Sequence, residues 1–195
     1  MRRVAGLLNS ASGSKLHPDT VTIFGFLMHV PIAVLIATGR HNILAALLLI
    51  IFGLFDTLDG ELARLQKRES DRGGLLDAST DRMKEVLLYS GAAYVLALGA
   101  HPAVAAWAVA ACGASLCVSY VKSKGETIMA TRTSKASYAK LNHIFKDGLL
   151  TFELRMAILV IGLLVNRLAV VVIIIAVLAS YTALQRLVRI SNALT

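Results

Sequence analysis

Apolar segments long enough to cross a bilayer constrain this chain most. Between Leu168 and Gln185 no residue is charged, and the same pattern recurs along most of the sequence. Segments at about 20–39, 42–65, 75–99, 103–124, 147–166 and 168–190 each approach the roughly 20 residues needed to span the hydrocarbon core. A hydrophobic share of 56% and a mean hydropathy of +0.69 exceed what a soluble core requires. The expectation is an all-α polytopic membrane protein with six transmembrane helices. At 195 residues it reads as a single domain over 1–195. Residues 1–16, MRRVAGLLNSASGSKL, are basic and partly apolar, and fit a short N-terminal interfacial helix on the inner leaflet. The first long apolar run begins after Pro18 and has the wrong length and flanks for a cleavable signal.

The formal charge of +8 raises the question of nucleic acid, but its placement answers no. Arg2, Arg3 and Lys15 precede the first segment, and Arg64, Lys67, Arg68 and Arg72 separate the second from the third. Lys122, Lys124, Arg132, Lys135, Lys140 and Lys146 separate the fourth from the fifth, whereas the alternate loops carry only Arg40 and Arg167. The positive-inside rule then puts both termini and the basic loops in the cytoplasm. Cys112 and Cys117 have the spacing of neither a redox pair nor a zinc site. His143 in the basic link reads as a solvated or capping residue, and HPDT (17–20) reads as a helix start capped by Asp19 or Thr20.

Between the second and third segments the sequence turns acidic: DTLDGELARLQKRESDRGGLLDASTD, residues 56–81. Asp56 and Asp59 are three apart, and Asp77 and Asp81 four apart, so on helices each pair shares a face. Carboxylates at the ends of membrane segments are costly, and by default they mark function. They also repel one another, which calls for a cation between them. Hard oxygen donors without nearby Cys or His suit Mg²⁺, Mn²⁺ or Ca²⁺. Ion pairs to Arg64, Arg82 or Lys84 are the structural alternative. Gly60 removes a side chain beside two of the acids, and Arg64 offers a fork for phosphate oxygens. Further cations, Lys122, Arg155 and Arg186, stand near the cytoplasmic ends of later segments, with Ser119 on the face of Lys122. Dications, an arginine fork and a close-approach glycine suit in-line displacement at phosphorus, with a carboxylate taking the proton of an attacking hydroxyl. At the inner face of a membrane, one substrate would be a lipid and the other soluble.

Asp56-Thr-Leu-Asp59-Gly60-Glu-Leu-Ala63-Arg64, then Gly73, Asp77 and Asp81 at fixed intervals, resembles the signature of the CDP-alcohol phosphotransferase family at every position. The resemblance implies a transferase that takes a CDP-linked lipid and an alcohol and releases CMP. It implies that Asp56, Asp59, Asp77 and Asp81 hold two divalent cations, Mg²⁺ first and Mn²⁺ second, with Asp81 as the base. Gly60, Ala63, Arg64 and Gly73 would bind the CDP-lipid. PDTVT (18–22), SYVK (119–122), Arg155 and the Arg186 of LQRL resemble the phosphatidylinositol phosphate synthase branch. That likeness implies inositol 1-phosphate as acceptor, its phosphate held by Ser119, Lys122, Arg155 and Arg186. Only Glu153-Leu-Arg155 stands where that branch has a fuller Glu-Arg cluster. Homodimers are common in the family, and small residues on the third and fourth segments permit one. The competing expectations are glycerol 3-phosphate as acceptor, CDP-archaeol as donor, a cation transporter, and a non-enzymatic lipid-binding or scaffold protein.

Overall fold

The computed structural model describes residues 1–132 and 149–194. Among the described residues every regular element is a helix and there is no strand. Four helical stretches are long and apolar enough to cross a membrane: Pro18–Thr38, Asn42–Gln66, Pro102–Met129 and Leu168–Ala193. Many large apolar side chains point outward, Leu7, Leu75 and Leu98 at 70% exposure or more. Such surface belongs in lipid or at its boundary. Lys135, Lys140, His143 and Lys146 of the basic link lie outside the described residues. The structure forms two compact units, Met1–Val95 and Leu96–Thr195.

The first unit begins with α1 (Arg2–Ala11), as the sequence predicts for the N-terminal stretch. Its Ala5 packs with Val21, Leu58 and Leu62 in one buried cluster, while Leu7 and Val4 face out. The side-chain amide of Gln66 donates to Asn9 Oδ1 and to the Leu16 carbonyl, both at 2.9 Å. Helix α2 (Pro18–Thr38) starts two to three residues earlier than expected. Its cap is His17, whose Nδ1 accepts from the Asp19 amide at 3.3 Å, rather than Asp19 or Thr20. Pro18 fits the first helical position because it has no N–H to satisfy there. The helix continues through Pro31 and ends on Gly39, whose φ of +66° is the left-handed stop that glycine favours.

The second apolar segment does carry its helix past the apolar residues, but in two pieces. They are α3 (Asn42–Gly53) and α4 (Phe55–Gln66), joined at Leu54, whose amide bonds back three residues to Ile51. Phe52 and Phe55 flank this tightened turn and pack with Phe24 of α2, at ring centroid separations of 5.2 to 6.1 Å. Lys67, at φ 53°, ends α4. Helix α5 (Asp71–Ala97) begins before the glycine pair, because Ser70 Oγ accepts from the Gly73 amide at 3.1 Å and caps it there. Its first half is too charged to count among the apolar spans. Farther along, a Cβ on Gly91 would collide with the Ala33 carbonyl oxygen, so α5 approaches the α2 backbone there as only glycine allows.

In the second unit a 3₁₀ turn (Pro102–Val104) leads into α6 (Ala105–Arg132). This helix outlasts the predicted fourth segment. Met129 is buried at 1% exposure, and Lys122 Nζ faces Glu126 Oε1 one turn away at 3.9 Å, which gives the added turns something to pack and pair with. Helix α7 (Phe152–Leu164) is capped by Thr151, and α8 (Leu168–Leu194) packs along α6 and against α7. With 13 described residues, α7 is too short to cross alone. Asn166, at φ 54°, ends it, and Gly162 lets Val171 approach the α7–α8 corner.

Candidate active site

Four residues, Lys67–Ser70, separate α4 from α5, and Lys84 of α5 reaches back to Asp56 of α4. Asp77 is within electrostatic reach of Asp56, Asp59 and Asp81. The side chains are nevertheless tied in different ways. Asp59 is 5% exposed, and its Oδ2 accepts a 2.5 Å hydrogen bond from the Thr22 hydroxyl of α2. Asp56 and Asp81 are both held by Lys84, whose fully buried ammonium lies 2.5 Å from Asp56 Oδ1 and 3.2 Å from Asp81 Oδ1. Arg82 also faces Asp81, at 3.6 Å, and pairs more closely with buried Glu85 at 2.8 Å. Asp77 Oδ1 is buried and accepts no hydrogen bond.

A cavity of about 240 Å³ opens beside these acids. Its wall includes Asp59, Gly60, Ala63, Arg64, Gly73 and Asp77, together with Pro18, Asp19 and Thr22 from the start of α2. Every residue expected to bind the CDP-lipid is there. Asp56 and Asp81 are not on that wall; Lys84 draws them to its own side. Arg64 is mostly exposed and pairs with Glu61, with Glu69 at 3.9 Å. An added Cβ on Gly60 would meet only Arg64 Nη2, at an ordinary 3.6 Å. The protein itself therefore does not require glycine at that position. On Gly73 a Cβ would press on the capping Ser70 Oγ at 3.3 Å.

Among the described residues no three His, Cys, Asp or Glu side chains are gathered closely enough to hold an ion as they stand. The donor set still suits a hard dication. It is carboxylate throughout, it is partly buried, and one of its oxygens lacks a partner. The ion-pair alternative foreseen from the sequence is realised for Asp56 and Asp81, with Lys84 as its centre. Lys84, Arg82 and Thr22 are side chains at this site to which sequence reasoning gave no catalytic or binding part. The pentapeptide PDTVT marked Thr22 as part of a helix start, but nothing marked its partner.

The predicted acceptor residues lie in the second unit. Arg155 is buried at 1% exposure, and its Nη1 donates to the Leu150 carbonyl at 3.0 Å. Arg186 donates to the Val118 carbonyl at 3.2 Å, while its buried Nε has no hydrogen-bond partner. The two guanidinium groups lie close enough to repel, and Glu126 offsets Arg186. Ser119 Oγ donates to the Ser115 carbonyl at 3.3 Å, one residue from the carbonyl that holds Arg186. Lys122 stands one turn farther along α6. Buried like charges of this kind call for an anion.

The sequence model of CDP-alcohol phosphatidyltransferases matches residues 15–188. This chain belongs to the CDP-alcohol phosphatidyltransferase family. It is 32% identical over 178 residues to the "Bifunctional IPC transferase and DIPP synthase" of Rubrobacter xylanophilus, covering 91% of this chain and 38% of that protein. It is 33% identical over 114 residues to the phosphatidylinositol phosphate synthase of Corynebacterium glutamicum, covering 57% of this chain and 52% of the relative. The chain thus spans about half or less of the length of these curated relatives. Among solved structures it resembles the Mycobacterium tuberculosis phosphatidylinositol phosphate synthase. With CDP-DAG bound, that structure superposes with a TM-score of 0.82 at 24% identity, over 97% of this chain and 94% of the other. In complex with manganese and citrate the TM-score is 0.78 at 25% identity, over 97% and 88%.

Proposed function

We propose that this chain is a membrane phosphatidyltransferase that moves the phosphatidyl group of CDP-diacylglycerol to myo-inositol 1-phosphate, giving phosphatidylinositol phosphate and CMP. The observation that carries this reading is the cavity on which Asp59, Gly60, Ala63, Arg64, Gly73 and Asp77 converge within the complete family signature. Gly60 and Gly73 leave room for the CDP diphosphate to approach the backbone, and Arg64 meets its oxygens. Asp56, Asp59, Asp77 and Asp81 would hold two divalent cations, Mg²⁺ or Mn²⁺, which would supply positive charge to the diphosphate.

The chain's own groups supply the rest. Asp81, with Arg82 beside it at 3.6 Å, takes the proton of the acceptor hydroxyl. The acceptor oxygen forms a bond to the lipid phosphorus as the diphosphate bond breaks, and CMP leaves. Thr22 holds Asp59 in place. Ser119, Lys122, Arg155 and Arg186 bind the phosphate of the acceptor, whose charge relieves the repulsion between the two arginines.

Six crossings of one domain over 1–195 are part of this reading: four are the apolar spans, and the segments that contain α5 and α7 would supply the other two. The cation distribution supports a site and both termini on the cytoplasmic side of the cytoplasmic membrane. A homodimer is the expected assembly. A second reading keeps the same displacement with another acceptor or CDP-linked donor, glycerol 3-phosphate or CDP-archaeol, and the match over 91% of this chain to a differently named relative leaves room for a change of substrate.

Purified protein with CDP-diacylglycerol should release CMP when given inositol 1-phosphate. EDTA should abolish this release and Mg²⁺ or Mn²⁺ restore it. Asp77→Ala should stop turnover, and Lys122→Ala should mainly raise the KM for the acceptor. Product with glycerol 3-phosphate and none with inositol 1-phosphate would select the second reading. CMP release that survives chelation would remove the metal-assisted mechanism.

A further inference from the structure

Lys84 is not part of the family signature quoted above, yet it occupies the middle of the acidic site. It springs from α5, three residues beyond Asp81, and crosses to α4. Its side chain has no exposed surface, and its ammonium touches one oxygen of Asp56 and one of Asp81. A lysine ammonium is a compact monocation with three donors and no acceptor. It can neutralise carboxylates, but it neither coordinates them in a shell nor shares their oxygens with a second cation at contact distance. Asp56 and Asp81 are therefore turned toward Lys84, and the cavity wall carries only Asp59 and Asp77 of the four.

We propose that Lys84 is a tethered countercation that competes with the divalent metal for Asp56 and Asp81. Resting on the metal-ligand reading of the aspartates, this assigns Lys84 two effects. With no dication bound, it offsets the repulsion of four carboxylates at a membrane surface, where unpaired charge is costly. A dication that takes the Oδ1 atoms of Asp56 and Asp81 displaces the ammonium, and one that takes their other oxygens still meets its positive charge, so the site binds the ion more weakly than the same four acids would without it. A merely structural lysine predicts the opposite. If Lys84 only positioned the carboxylates, removing it would loosen the ligands and weaken the ion.

Binding of Mn²⁺ to detergent-purified protein, followed by the electron paramagnetic resonance signal of free Mn²⁺, separates the two. For Lys84→Met the Kd should fall by about tenfold or more, as expected when one nearby positive charge is removed from a dication site. Lys84→Arg, which keeps the charge, should stay within about threefold of wild type on the same scale. An unchanged or higher Kd in Lys84→Met would overturn the proposal, as would a tenfold gain in Lys84→Arg. Should Lys84→Met fail to purify without metal, Mn²⁺ present during extraction should recover a monodisperse protein, because the dication replaces the missing charge. Failure of that recovery would also overturn the proposal. Wild-type protein that binds no Mn²⁺ would defeat the metal reading itself. Wild-type binding that Asp77→Ala removes but Lys84→Met leaves unaltered would defeat the competition alone.

Discussion

Thr22 and Asp59 make the most consequential single contact at the site, a 2.5 Å hydrogen bond between two buried side chains. Replacing Thr22 by valine keeps the shape and leaves a buried carboxylate oxygen without its donor, a loss of about 1–3 kcal/mol. Thermal unfolding of Thr22→Val in detergent should show that loss, and CMP release should fall with it. Gly60 makes the contrasting case. Because an added methyl would meet the protein only at ordinary contact distance, Gly60→Ala should melt within about 1 kcal/mol of wild type. It should still lose tenfold or more in kcat/KM for CDP-diacylglycerol, since the methyl occupies the path of the diphosphate. A parallel loss of stability and activity would mean that Gly60 serves packing. The aspartates were legible because helical spacing puts each pair on one face, a local property. The Thr22–Asp59 bond joins positions 37 apart, and it depends on how α2 crosses α4. No periodicity encodes that crossing.

Element boundaries followed polar details more than hydropathy. The acidic helix was readable past the apolar run because Asp56, Asp59, Ala63 and Arg64 keep its period. The break at Leu54 was not, since the apolar run passes through it unchanged. The early start of α5 comes from one serine hydroxyl, and the start of α2 from a histidine ring, a less familiar cap than the acid two residues on. Where α5 approaches the α2 backbone, Gly91 has no room for a methyl beside the Ala33 carbonyl. Gly91→Ala should therefore cost about 1–3 kcal/mol through a forced shift of one helix. Chemical denaturation should register this, whereas Gly113→Ala, with nothing near its Cβ, should be neutral or slightly stabilising by the same measurement.

At the scale of the whole chain, hydropathy predicted six segments, and four described helices meet the demands of length and apolarity. The shortfall has a chemical origin. Helix α5 carries Asp71, Arg72, Asp77, Asp81, Arg82, Lys84 and Glu85 in its first half, and α7 is short beside residues outside the described set. A span search by composition passes over a helix whose first half is rich in aspartate and lysine, whatever its second half could cross. Cysteines introduced singly at Arg40 and Arg167 of a cysteine-free variant should react with an impermeant maleimide from outside intact cells. A cysteine at Lys67 should react only after permeabilisation. Labelling of all three from one side would contradict six crossings.

Gln66 ties the last turn of the acid-bearing helix to Asn9 and to the Leu16 carbonyl, and Ala5 packs beneath it. Trimming the first dozen residues, or fusing a bulky tag to them, is accordingly not a neutral choice when preparing this protein. It would unpick the hydrogen bonds that hold the end of the helix bearing Asp56 and Asp59, and an inactive preparation made that way would say nothing about the chemistry.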